Sequence, residues 1–169
     1  MHLFLTGAKQ VGKSTAIMKA LAHTALTQGG FRTAWVHPQE TLGLCPFSQA
    51  ALTDAQVVAR RHDGHMQADA ERFDVLGAAT LAAGDEDIIV MDECGFLEQD
   101  AFLFQKAVLN RLDGDTPVLG VVRQRAGGWT EQILNHPKVK MLQVTQENRD
   151  SSIGAILAWI EEETHGKHD

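Results

Sequence analysis

The stretch that decides the reading is His2-Leu3-Phe4-Leu5-Thr6-Gly7-Ala8-Lys9-Gln10-Val11-Gly12-Lys13-Ser14-Thr15. Its first five residues form a short, mostly apolar run that stops at a glycine, the pattern of a strand. Gly7 to Ser14 then satisfy G-x-x-x-x-G-K-[ST], and helical periodicity follows from Lys13. A strand, a glycine-bounded loop and a helix in that order make an anion cradle. The two glycines let the backbone turn tightly and approach an anion with no Cβ in the way. The backbone N–H groups of the loop, from Ala8 and Lys9 through Gln10 and Val11 to Gly12, turn inward. The helix N-terminus adds about half a positive charge. Lys13 is placed for the β- and γ-phosphates of a nucleotide, Ser14 for Mg²⁺, and Thr15 for a second hydroxyl near the α-phosphate. Lys9 within the loop either adds charge to the site or points to solvent.

A second element supports the first. Ile88-Ile89-Val90-Met91 is a continuous apolar run ending in Asp92-Glu93. Acidic residues at the carboxyl end of a buried strand lie where open α/β sheets bind ligands. Asp92 suits Mg²⁺, held through a water because that ion keeps part of its hydration shell. Glu93 is then placed to orient or deprotonate an attacking water. Gly95 turns the chain after the strand, and Glu98 either joins the site or caps the helix that follows.

Outward from these two elements, short apolar runs alternate with helix-period stretches, the pattern of βαβ units and a mostly parallel sheet with helices on both faces. The spacing predicts a helix over 13–28 stopped by Gly29-Gly30, then a strand over 31–37. The segment 38–52 reads as irregular, with room for a short hairpin. Helices are predicted over 54–61, 70–83, 99–112 and 129–135. Strands are predicted over 87–91, 116–122 and 139–144. A closing helix is expected over 148–163 with Asn148 as its N-cap, and 165–169 reads as a frayed tail. One domain over 1–164 is the expectation for a chain of 169 residues.

Composition narrows the class. Apolar residues are 44% and charged residues 22%, a globular balance, and the net charge is −7. An acidic chain lacks the basic footprint of a nucleic-acid or anionic-membrane binder. No apolar run approaches the roughly 20 residues that span a bilayer. Met1–Thr6 is too short for an export signal, so Cys45 and Cys94 read as reduced thiols and the expected location is the cytoplasm. The eight histidines read mostly as surface residues, and His62-x-x-His65 has no flanking Cys pair or carboxylate to complete a zinc site. Trp35, Trp129 and Trp159 read as core or half-buried anchors.

Taken together, Gly7–Thr15, Gly30-Phe31-Arg32-Thr33, Asp92–Glu98 with Phe102 or Phe104, Pro117-Val118-Leu119, and Val144-Thr145 with Glu147-Asn148-Arg149-Asp150 resemble the small nucleoside-triphosphatase family first described from thermophiles. The cancer-related nucleoside triphosphatase of animals is a relative in that family. The resemblance covers nearly the whole chain. It implies a P-loop NTPase fold of the additional-strand, catalytic-glutamate type, in which the loop strand and the Asp92 strand are not neighbours. It also implies Mg²⁺-dependent hydrolysis of ATP, GTP and other nucleoside triphosphates to the diphosphate, with little base selectivity. The family's usual loop, Gly-Pro-Pro-Gly-Val-Gly-Lys-Thr, here carries Ala8, Lys9, Gln10 and Ser14 instead.

Arg149 matches the family's Asn-Arg-Asp. Its planar guanidinium can stack on any base, or it pairs with Asp150 or Glu147. Arg123 and Arg125 follow the strand at 116–122; either can reach a γ-phosphate, or both lie in a solvated loop. The resulting expectation is an Mg²⁺·NTP phosphohydrolase with Lys13 and Glu93 as catalytic residues and Ser14 and Asp92 as metal ligands. Two other readings remain open at this level. One is a small-molecule kinase using the same cradle; the other is a nucleotide-gated switch that turns over only with a protein partner.

Overall fold

Strand β1 (His2–Thr6) is buried along its whole length. Its side chains alternate between two cores, as the two-residue period of a strand requires. Phe4 enters one hydrophobic cluster, while Leu3 and Leu5 enter another on the opposite face. The computed structural model describes residues 1–124 and 127–164, so Arg125 and the 165–169 tail lie outside the described residues.

Among the described residues, eight strands form one sheet in the order β5-β4-β3-β2-β6-β7-β1-β8. They are β2 (Gln28–His37), β3 (Thr41–Pro46), β4 (Val57–His62), β5 (His65–Ala68), β6 (Ile88–Cys94), β7 (Val118–Val122) and β8 (Val139–Gln143), with β1 already given. Strands β2, β6, β7, β1 and β8 run parallel. Strands β3, β4 and β5 extend the sheet as an antiparallel ribbon. Strand β7 lies between β1 and β6, so the loop strand and the Asp92 strand are separated by one strand, as the family resemblance implies.

The helices cover both faces. Helices α1 (Lys13–Ala22) and α6 (Arg149–Thr164) supply Ile17, Ala20, Ile156 and Ile160 to the core that holds Leu3 and Leu5. On the other face, α4 (Phe102–Asp113) and α5 (Glu131–Leu134) bring Phe104, Val108 and Ile133 to Phe4. Among the described residues, no helix is long and apolar enough to cross a membrane.

Three sequence expectations are corrected. Gly29-Gly30 does not stop α1, which ends at Ala22; both glycines are inside β2. The packing explains them. A Cβ on Gly30 would stand 1.9 Å from the Val90 carbonyl oxygen of the adjacent strand. The expected helix over 54–61 is a single 3₁₀ turn, Asp54–Gln56, followed by β4. The β-branched pair Val57-Val58 favours the strand, and Asp63-Gly64 turns it back into β5 with both residues at positive φ. The expected helix over 70–83 breaks into α2 (Ala70–Arg72), a π-helical turn at Phe73–Gly77 and α3 (Ala78–Thr80). Gly77 packs so tightly on the Phe104 ring that an added Cβ would be 2.1 Å away. Asn148 is at the expected N-cap position, directly before Arg149, and its carbonyl accepts from the Ser152 N–H at 2.8 Å. Its Oδ1 accepts from the Thr145 N–H at 2.7 Å, bracing the approach to the helix.

His2 departs from the surface reading of the histidines. It is fully buried in β1. Its Nδ1 accepts from the Val118 N–H at 3.1 Å and its Nε2 lies 2.8 Å from the Leu112 carbonyl, an arrangement that suits one neutral tautomer. Burial lowers its pKa from 6.5 to about 4. Between those two values the unfolded chain binds the extra proton and the folded one does not, so the His2 contribution to stability falls as pH drops, opposite in sign to that of the buried carboxyls Asp92 and Glu98, which burial raises. The expected loss between pH 7.5 and 5 is about 2 kcal/mol, roughly 5 °C in Tm. His2→Gln is expected to remove that component, so that the difference in Tm between wild type and variant changes by about this amount between pH 7.5 and 5; a difference that does not vary with pH overturns the assignment.

Candidate active site

The loop between β1 and α1 is shaped by three special backbone positions. Gly7 has φ 146 and Gly12 φ 103, and Gln10 between them is left-handed at φ 58. At Gly7 no other residue fits, because a Cβ would stand 2.2 Å from the Val144 carbonyl oxygen. Val11 points down into the core beside Ile17 and Val144 and anchors the loop. Lys13 is only 8% exposed. Its ammonium donates to the carbonyls of Gly7 at 2.9 Å and Ala8 at 2.6 Å, closing the loop like a clasp. Burial holds the lysine below its usual pKa; the Glu93 carboxylate opposes that shift and the Arg123 cation adds to it. A polyphosphate entering here would meet a partly desolvated cation at a helix N-terminus.

The acidic tip of β6 faces this clasp. Asp92 is also 8% exposed. Its Oδ1 accepts from the Ser14 hydroxyl at 2.8 Å, and its backbone carbonyl accepts from Thr33 Oγ1 at 3.4 Å. Burial raises the Asp92 carboxyl to about 6; the Ser14 hydrogen bond opposes the shift, and Glu93 beside it adds to it. Hard oxygens on a buried carboxylate and a hydroxyl, 2.8 Å apart, fit the donor set of Mg²⁺, and a dication there would offset the burial of the charge. The peptide joining Asp92 to Glu93 is cis. Glu93 Oε1 pairs with Arg123 Nε at 2.5 Å.

Glu98 resolves into one of its two readings. It does not cap α4, whose N-cap is Ala101. The side chain is 3% exposed and lines the cleft at the acidic tip. Its Oε1 accepts from the Gly95 N–H at 2.6 Å and so ties the turn after β6. Burial raises this carboxyl to about 7.

Two recesses flank the loop. At the acidic end a cleft of about 500 Å³ is bounded by Lys9, Ser14, Asp92, Glu93 and Arg123, and on its outer side by Trp35. Trp35 is 46% exposed, not a core anchor, whereas Trp129 and Trp159 are buried. At the other end Arg149, the first residue of α6, lies over Gly12. A Cβ on Gly12 would be 3.9 Å from its Cδ. Gln10, Thr15 and Lys19 complete that hollow. Arg149 and Asp150 both line that hollow, and among the described residues no ion pair joins Arg149 to Asp150 or Glu147.

A family model described as NTPase matches residues 2–157. The chain belongs to that NTPase family. Nucleoside-triphosphatase THEP1 of Thermotoga maritima is 26% identical over 168 residues, covering 94% of each chain. The human cancer-related nucleoside-triphosphatase is 29% identical, covering 95% of this chain and 96% of its own. The solution structure of a human cancer-related nucleoside triphosphatase superposes with a TM-score of 0.75 at 26% identity, over 95% of this chain and 97% of that one. The crystal structure of THEP1 from Aquifex aeolicus shares the fold, with a TM-score of 0.77 at 20% identity, over 95% and 99% of the two chains.

Within this family framework, the residues expected at the site from sequence do come together. The clasp lysine, Ser14, Asp92 and Glu93 share one edge of the sheet, and Arg149 lies beyond the loop. What sequence reasoning missed is the outer wall of the cleft. Trp35 reaches it from β2, which was expected as a strand, and Leu42, Arg61 and Met66 from β3, β4 and β5, whose stretches read as irregular or helical or were given no element. The Asp63-Gly64 dipeptide between two alternating runs was the signal that would have revealed the β4–β5 hairpin.

Proposed function

We propose that the chain is an Mg²⁺-dependent nucleoside-triphosphate phosphohydrolase acting on ATP, GTP and related nucleotides. It would cleave the β–γ bond to give the diphosphate and phosphate. The observation that carries this reading is the Ser14–Asp92 contact at 2.8 Å, which brings the phosphate loop and the acidic strand tip into one site.

In this reading the base lies at Arg149, which covers a ring face without reading its edge, consistent with weak base selectivity. The loop amides and the α1 N-terminus hold the phosphate oxygens. Lys13 leaves the Gly7 and Ala8 carbonyls for the β- and γ-phosphates, exchanging neutral acceptors for charged ones. Ser14 and Asp92 would hold Mg²⁺, which when bound draws charge from the β- and γ-oxygens. Glu93 orients a water against the γ-phosphorus and accepts its proton as the new P–O bond forms and the bridging P–O bond breaks. Residues 1–164 would act as a single unit. The location we assign is the cytoplasm, where nucleoside triphosphates are abundant and buried Cys45 and Cys94 remain thiols.

The test is release of inorganic phosphate from γ-labelled ATP with Mg²⁺ and no added acceptor. Release abolished by EDTA supports hydrolysis. Label that leaves ATP only when a hydroxyl acceptor is present overturns it in favour of a kinase. Release only in the presence of cell extract overturns it in favour of a partner-gated switch.

A further inference from the structure

We infer that Arg123 is a catalytic residue for the γ-phosphate, parked on Glu93 until a triphosphate arrives. This rests on the hydrolytic reading above and adds a control step to it. Strand β7 lies between β1 and β6, so the residue just past its end emerges between the phosphate loop and the acidic tip. Arg123 accordingly borders both recesses at the reacting end. It shares one with Ser14, Asp92 and Glu93, and the other with Gly7, Lys9 and Lys13.

The backbone of Arg123 is fixed while its head is loosely held. Its N–H donates to the Cys94 carbonyl at 2.9 Å. Its own carbonyl accepts from Thr130 Oγ1 at 3.1 Å. Its stem lies against Gly95, where a Cβ would stand 3.5 Å from the arginine Cδ. Only the guanidinium is free to swing, and it is tied by the Glu93 pair, whose side chains are 48% and 27% exposed. A half-exposed ion pair is a weak bond.

Three cations, Lys9, Lys13 and Arg123, border one recess, and of the three Arg123 is the one paired with Glu93. Like charges gathered round one recess repel one another. A γ-phosphate placed there carries more charge than one carboxylate and offers a bidentate acceptor to the guanidinium. Moving Arg123 onto it relieves the cation–cation repulsion and frees Glu93 for the water. A diphosphate does not extend to that position, so it leaves Arg123 on Glu93. Phosphate contact and base release thus become one motion, available only with the full substrate.

The test compares wild type, Arg123→Ala and Arg123→Lys. Arg123→Ala is expected to lower kcat by about 10³-fold, within the range of a lost arginine contact. It should weaken Mg²⁺·AMP-PNP binding by about tenfold and leave Mg²⁺·ADP binding within twofold. Arg123→Lys should recover part of the AMP-PNP affinity. The wild-type Arg123 Nε–H resonance is expected to move with AMP-PNP and not with ADP, a readout that needs no variant to fold. Equal effects on both nucleotides, or an Nε–H shift common to both, overturn the inference and mark a structural arginine. If wild type neither binds nor hydrolyses any triphosphate, the hydrolytic reading itself fails; if wild type is active and Arg123→Ala matches it, this inference alone fails.

Discussion

Lys13→Ala is expected to weaken Mg²⁺·ATP binding by about 10²–10³-fold, the usual cost of truncating one partner of a desolvated charge contact. Turnover should fall below detection, because the lost ammonium also serves the charge that develops on the transferring group. The structure explains why the loss should be so complete. The lysine is nearly buried and its ammonium spans the loop, bound to two of its own carbonyls. Calorimetry with AMP-PNP and a phosphate-release assay read the two effects separately. Binding within threefold of wild type would show that the loop is not the cradle. Tm should change by only a few degrees, since the clasp bonds are replaceable by water once the side chain is gone.

Glu93→Gln should act on the other half of the cycle. The substitution keeps shape and removes the proton acceptor, so kcat is expected to fall by about 10²–10⁴-fold. Nucleotide affinity should not fall with it. It should rise severalfold for AMP-PNP, because the neutral amide no longer holds the Arg123 guanidinium by charge. Single-turnover hydrolysis and equilibrium binding on the same preparation decide the matter. A kcat within threefold of wild type would remove Glu93 from the chemistry, whatever its place beside Asp92.

The loop and the acidic tip were legible in the sequence because each is a local device. Gly7, Gly12 and Lys13 act through one turn and one helix start, and Asp92-Glu93 through one strand end. The parallel core followed from the alternation of apolar runs with helical stretches. Two kinds of feature escaped. One is conformation imposed by a neighbour: Gly30 belongs to a strand because Val90 presses on it, and the 70–83 segment breaks where Gly77 meets the Phe104 ring. The other is pairing that depends on register between distant strands. Nothing local to Glu93 announces Arg123, thirty positions on, and nothing near Trp35 announces that it walls a cleft. Those contacts exist only once β7 is seated beside β6 and the β3–β5 ribbon is laid along β2.

That division of the sheet carries a functional separation. The parallel half owns every group proposed for bond cleavage, while the antiparallel apron contributes Leu42, Arg61 and Met66 to the rim alone. Side chains on the apron can therefore be exchanged to reshape what the cleft admits, with the hydrolytic apparatus and its supporting core left as they are.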